Sequence, residues 1–322
     1  LTCLTPSCDG LNAAEEIDLR LVFAGTPAAA IPALRILASA HEVLAVVTRP
    51  DAPLGRKRVL TPSPVAVVAA ELGVPILKAT KLDEQLTAHI QALEPELGVI
   101  VAYGGIVREP LLSLPKHGWI NLHFSILPRW RGAAPVQRAL IEGDTQIGAS
   151  VFQLVAALDA GDVFASRVVP VPEEATAGQV LVELAEAGAE LTAQVVGDIE
   201  LGVAIASPQV GEVTLAPKLV LEDGRLDFNE PGESLYARFR GVTPEPGAFT
   251  TVDGAALKLL EMRLGEVSEA LTPGELRLDR SEVLIGTASR PLRVMRVQPA
   301  GRAAMAAGDW FRGQRQEIRV GS

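Results

Sequence analysis

Cysteine is almost missing from this chain. Cys3 and Cys8 are the two present, both within the first ten residues. A disulfide-stapled scaffold is therefore excluded, and the body of the chain suits a reducing compartment. A zinc site needs about four ligands, and none gathers around Cys3 and Cys8, so no metal site is expected. No apolar run reaches the ~20 residues of a membrane span. Residues 1–18 lack a basic start and a continuous apolar stretch, so they do not read as a secretory signal. They also lack an initiator Met, and they are read as a flexible extension outside the fold. Positive charge is short as well. The net charge is −10, which argues against a general nucleic-acid binder held by a basic surface. The deficit is local, however. Residues 223–322 carry 14 basic and 14 acidic side chains, so the acid excess lies in the first two thirds. There is no internal repeat and no low-complexity segment.

A length of 322 residues with 48% hydrophobic content suits two domains with ordinary cores. Order is expected from Leu19. A buried strand, Leu19 to Phe23, leads through Gly25-Thr26-Pro27 into a helix over Ala28 to Ala40 and a second strand from Glu42 to Val47. Strand, helix and strand at this spacing predict a βαβ unit and a parallel sheet. The glycines do not form G-x-G-x-x-G, which disfavours a nicotinamide dinucleotide. Helices are expected over Val65–Leu72, Asp83–Leu93, from Pro135 to Glu142, and from Thr176 to about Ala204. Leu97 to Ala102 reads as a central strand, with Tyr103 and Gly104 at its carboxyl end. Ser207 to Val220 reads as a linker. Beyond Leu226, short apolar segments separated by turn residues predict a small β-barrel.

One stretch carries chemistry. In Gly118 to Pro135, Ile120, Leu122 and Phe124 alternate with Asn121 and His123. Strand periodicity puts Asn121 and His123 on one face. Buried polar groups must be satisfied by other core groups or line a site, and pattern alone leaves both readings open. Asp159 sits in the turn Leu158-Asp159-Ala160-Gly161-Asp162, and Asp alone favours turns. If the three converge at the carboxyl edge of the sheet, they suit acyl transfer to an amine. An amide and an imidazole would stabilise the oxyanion, and a carboxylate would hold the imidazole and help remove a proton. No Ser or Cys occupies a nucleophile elbow, so direct transfer is expected. A Pro/Gly loop holds Arg49, Arg56, Lys57 and Arg58. It is either a solvated surface loop or an arm that meets phosphates.

The stretch Asn121 to Gln137, with Phe23-Ala24-Gly25-Thr26-Pro27, Thr61-Pro62-Ser63-Pro64-Val65, Val101-Ala102-Tyr103-Gly104 and Leu158 to Asp162, resembles the methionyl-tRNA formyltransferase family. Leu219 to Phe228 and Val297 to Met305 look like the C-terminal domain of the same family. The resemblance covers about residues 19–319. Its Asn-x-His and Leu-Asp-x-Gly pieces are common to folate-dependent formyltransferases and specify chemistry only.

The resemblance implies an α/β fold: a Rossmann-like parallel-sheet formyltransferase domain over 19–204, a linker over 205–222, and a smaller OB-like barrel that contacts tRNA over 223–320. It implies transfer of a formyl group from 10-formyltetrahydrofolate to the amino group of methionyl-initiator tRNA, without a metal, by a cytoplasmic monomer. Asn121, His123 and Asp159 match its catalytic positions. Ser125, Ile126, Leu127 and Pro128, with Tyr103 and Gly104, match its folate site. Arg49, Arg56, Lys57 and Arg58 match the arm that meets the acceptor stem. Rivals are a nucleotide-sugar N-formyltransferase, a formyltetrahydrofolate hydrolase domain, a glycinamide ribonucleotide formyltransferase, and a non-catalytic RNA-binding protein on the same scaffold. The turn Pro244-Glu245-Pro246-Gly247 departs from the family pattern.

Overall fold

The computed structural model describes residues 19–55, 57–266, 271–314 and 318–321. The first 18 residues, with Cys3 and Cys8, and Arg56 and Arg315 therefore lie outside the described residues.

The first unit is built on a seven-stranded sheet. Its strands are β1 (Arg20–Gly25), β2 (Glu42–Thr48), β5 (Ile76–Lys78), β6 (Leu97–Val101), β7 (Trp119–His123), β8 (Gln146–Gln153) and β9 (Val163–Pro170). They lie in the order β5-β2-β1-β6-β7-β8-β9. The first five in that order are parallel. The last two are antiparallel, so the sheet is mixed rather than wholly parallel. Between β8 and β9 the reason is the connection: nine residues, 154–162, join them, fewer than the dozen or more that a parallel crossover needs.

Alternation along the strands sorts side chains between two cores. Leu21, Phe23, Val99, Val101, Ile120, Leu122 and Phe124 pack with α1 (Ile31–Ala40), α4 (Pro135–Ile141) and α5 (Ala177–Glu200). Val22, Ala24, Ile100 and Trp119 pack on the opposite face with Ile90 of α3 (Glu84–Ala92). Phe23 and Trp119 are fully buried. Each large apolar side chain removed from water in this way contributes about 1.5–3 kcal/mol.

Helix starts follow local chemistry. Ser63 caps α2 (Pro64–Glu71), its hydroxyl accepting from Ala66 N–H at 3.0 Å, and Pro64 needs no N–H there. At the start of α5 the Gln179 side chain accepts from the Thr176 N–H at 2.9 Å. The basic loop is not a plain loop. β3 (Ala52–Leu54) and β4 (Val59–Thr61) pair as an antiparallel hairpin. No helix among the described residues is long and apolar enough to cross a membrane.

The second unit is built on an antiparallel sheet. Its strands are β10 (Ala248–Val252), β11 (Ala255–Leu264), β12 (Leu276–Asp279), β13 (Glu282–Ile285), β14 (Leu292–Pro299) and β15 (Met305–Ala306). The order is β10-β11-β14-β13-β12, with β15 on β14. Two helices join it that the strand-only reading omitted, α6 (Gly232–Val242) and α7 (Ala307–Arg312). Leu235, Tyr236, Phe239 and Val242 recur at helical spacing and are buried in this core.

The units meet where α4 lies against α6. Arg138 donates to both Asp223 oxygens at 3.0 and 3.2 Å. Gly178 N–H donates to the Thr243 carbonyl at 3.1 Å. The Pro244 ring sits directly over Gly178, so the unusual Pro-Glu-Pro-Gly turn begins at this junction.

Candidate active site

Strand β7 changes character along one face. Trp119 faces the apolar core, its indole N–H donating to the Leu111 carbonyl at 2.8 Å. Asn121 comes next on that face, then His123 at the carboxyl end. Asn121 is half-buried, and its side-chain amide makes no hydrogen bond among the described residues. Its donors are therefore free for a ligand.

His123 is buried in a T-shaped pair with Phe152, ring centroids 6.4 Å apart. Its Nε2 lies 2.8 Å from the Trp130 carbonyl. A carbonyl only accepts, so Nε2 carries the ring proton and Nδ1 keeps the lone pair. Nδ1 is 3.8 Å from Asp159 Oδ2. Burial pushes the imidazole below its ordinary value. Asp159 and the bond to Trp130 oppose that without cancelling it. The ring is therefore neutral at pH 7.

Asp159 adopts a left-handed backbone conformation, φ 45°. Its Oδ2 accepts from Gly132 N–H at 2.8 Å. Two glycines permit this approach. A Cβ on Gly132 would lie 2.6 Å from the Ala216 carbonyl oxygen, and Gly132 itself has φ 126°. A Cβ on Gly161 would overlap the Gln153 carbonyl oxygen. The glycine-bearing segments at 132 and 161 are thus steric conditions for placing the carboxylate.

Residues 125–128 form a packed loop. Ser125 is fully buried, and its hydroxyl donates to the Arg129 carbonyl at 2.6 Å. Ile126 packs onto Gly148 of β8. Leu127 and Pro128 are buried. What this loop can offer a ligand is its main chain rather than the Ser125 hydroxyl. Tyr103 is also buried, which pushes its phenol up, while Gly104 is exposed.

The basic residues divide. Arg49 is half-buried and donates to the carbonyls of Pro50 and Thr61 at 2.7 and 3.5 Å, so it braces the base of the hairpin. Lys57 and Arg58 are exposed at its tip. Thr61 to Pro64 is spent on structure: the Ser63 hydroxyl caps α2 and meets Thr48 Oγ1 at 2.7 Å.

Several contributors had no signal in the pattern. Ser150, opposite His123 on β8, donates to the Ser125 carbonyl at 2.8 Å, and Leu127 N–H lies 3.3 Å from the same hydroxyl. Asp144 accepts from the Trp130 indole at 2.8 Å and from Arg129 at 3.1 Å. Trp130 N–H donates to Thr214 Oγ1 at 2.9 Å, and Arg131 N–H to the Thr214 carbonyl at 2.9 Å. The linker thus runs beside the site. Thr214 could not be found from sequence, because its partners lie more than eighty residues away.

Residues 21–196 match the family described as formyl transferase, and residues 218–315 match the formyl transferase C-terminal domain. The chain is 55% identical over 295 residues to the methionyl-tRNA formyltransferase of Leifsonia xyli subsp. xyli, covering 92% of this chain and 97% of that one. It is 56% identical over 296 residues to the methionyl-tRNA formyltransferase of Clavibacter sepedonicus, with the same coverage. The chain belongs to the methionyl-tRNA formyltransferase family. Solved structures share the fold at much lower identity. HypX from Aquifex aeolicus superposes with a TM-score of 0.65 at 18% identity, over 93% of this chain and 49% of that one. WlaRD, a sugar 3N-formyl transferase, gives 0.65 at 12% identity, over 88% of this chain and 99% of that one. In this member of the methionyl-tRNA formyltransferase family, Asn121 and the buried His123 stand on β7, whose apolar side chains are shared between the two cores.

Proposed function

We propose that this chain transfers the formyl group of 10-formyltetrahydrofolate to the α-amino group of methionyl-initiator tRNA. The observation that carries the reading is near-full-length identity above one half to methionyl-tRNA formyltransferases, together with a site suited to acyl transfer. The amine nitrogen bonds to the formyl carbon, the bond from that carbon to the folate nitrogen breaks, and one proton leaves the amine. Asn121 donates to the formyl oxygen as it gains charge. His123 enters neutral and takes the amine proton at Nδ1, since Nε2 is committed to the Trp130 carbonyl. Asp159 then stabilises the imidazolium across the 3.8 Å gap. The proton can pass from the ring to the folate nitrogen as it leaves. Tyr103, Gly104 and residues 125–128 border the folate, the loop through its main-chain groups.

The hairpin tip with Lys57 and Arg58 meets acceptor-stem phosphates, with Arg49 bracing its base. The C-terminal unit over 223–320 provides a second tRNA surface, and the enzyme works as a cytoplasmic monomer. The test offers methionyl-tRNA, a sugar-nucleotide amine and water as separate acceptors of the formyl group. Transfer to the tRNA alone supports the reading. Transfer to the sugar nucleotide or to water instead overturns it.

A further inference from the structure

The linker after α5 is exposed along most of its length, yet Gln209 within it is half-buried. Every hydrogen-bonding position of its amide is used. Oε1 accepts from Arg131 Nε at 3.2 Å and Nη2 at 2.6 Å. Nε2 donates to the carbonyls of Asp159 and Gly161, both at 2.8 Å. The partners dictate which way the amide points, because a guanidinium only donates and a carbonyl only accepts.

The residue it grips is the one that needs gripping. Asp159 holds a backbone conformation that side chains disfavour, φ 45°, and such a conformation persists only where its surroundings impose it. Its carboxylate is held by the Gly132 N–H, and its carbonyl by Gln209. The second donor bond ties down Gly161, the residue that lets the turn close against β8. Thr214 and Ala216, by contrast, bond only to the loop at 130–134 among the described residues. Gln209 therefore couples that loop, through Arg131, to the Asp159 turn.

We propose that Gln209 is a positioning residue, which sets the Asp159 carboxylate against His123 by holding the turn that carries it. This rests on the formyl-transfer reading for its consequence in catalysis, but not for the positioning itself.

The test uses two variants of the full chain. Gln209→Met keeps the shape and loses all four bonds. Gln209→Glu can still accept from Arg131 but turns both carbonyl contacts into repulsions, so it separates the two ends of the amide. The first readout is an NMR titration of the His123 ring, which needs no substrate. Asp159 favours the charged ring, so Gln209→Met should move the midpoint further below the ordinary histidine value, whereas Gln209→Glu brings a charge of its own and should move it away from the wild-type position. The second is steady-state transfer to methionyl-tRNA. Both variants should lose roughly tenfold in kcat with little change in KM, as expected when a group acting at the reaction step is misplaced. A wild-type midpoint and kcat with a lowered melting temperature in both variants would show a mere linker fastening and overturn the proposal. So would loss in Gln209→Met with full retention in Gln209→Glu, because Arg131 would then be the end that matters. Shifted midpoints in a wild-type background that transfers no formyl group would uphold the positioning and count against the formyl-transfer reading alone.

Discussion

Nδ1 of His123 stands 3.8 Å from Oδ2 of Asp159, beyond hydrogen-bond reach but well within reach of its charge. The carboxylate does not orient the ring, because the Trp130 carbonyl does that from the other side. Its effect is electrostatic: it favours the imidazolium once a proton arrives.

The pH dependence of turnover follows. In the mechanism proposed above His123 must be neutral to take a proton, and its burial favours the neutral ring. The limb that His123 adds to kcat/KM therefore falls below pH 6.5, the ordinary value, on the acid side of the one set by the substrate amine, which must itself be neutral. Asp159 raises the ring's value, so Asp159→Asn should move that limb to still lower pH while reducing the maximum rate. A limb that stays in place in the variant would remove Asp159 from the ring's electrostatics.

Asn121→Ala removes donors that find no partner among the described residues. If they meet the developing oxyanion, kcat should fall roughly a hundred- to a thousandfold with modest change in KM. Single-turnover formyl transfer measures this directly. A rate within twofold of wild type would leave Asn121 as a half-buried polar residue without a role in the chemistry.

Lys57 and Arg58 at the hairpin tip are exposed and can reach a phosphate backbone. Replacing both with Ala should weaken tRNA binding and reduce the salt slope of log K by up to about one unit for each phosphate no longer neutralised. Arg49→Ala should act differently, by loosening the hairpin base that it braces through Pro50 and Thr61. Binding titrations across salt concentrations separate the two. An unchanged slope in the Lys57/Arg58 variant would make the tip an ordinary surface hairpin.

The Arg138–Asp223 pair between the two units predicts an acid-sensitive junction. Burial acts to raise the Asp223 carboxyl, but bonds from Val220 N–H and Arg138 outweigh it and hold it below the usual carboxylate range. A group that titrates lower folded than unfolded contributes its full stability above the unfolded value, about pH 4, and loses it as pH falls through the folded value. Melting temperatures from pH 7 to pH 3 should drop more steeply in wild type than in Asp223→Asn, with the variant lower at pH 7. Parallel curves would show that the pair does not stabilise the junction.

Much of the fold was legible because it is local. The two-residue period of Ile120, Leu122 and Phe124 against Asn121 and His123 is a property of any strand, and the structure seats the first set in one core and leaves the second on the other face. Apolar runs and their turn residues likewise marked most helices and strands of the first unit. The helix over Gly232–Val242 was missed although its apolar spacing was readable, because turn residues on both sides suggested strands. The hairpin within the basic loop was hidden by the same Pro and Gly content that marks an irregular loop.

The candidate site divides in the same way. By itself the sequence determined the residue types, the shared face of Asn121 and His123, and the glycines at 132 and 161. Tertiary structure alone decided the ring's proton position, the 3.8 Å gap to Asp159, and the burial of the Ser125 hydroxyl. It also decided that a linker amide fifty residues along the chain holds the Asp159 turn. The physical reason is range. Strand alternation and turn strain are set by neighbouring residues. A proton's location and a carboxylate's effect depend on groups that only the folded chain brings within a few ångströms.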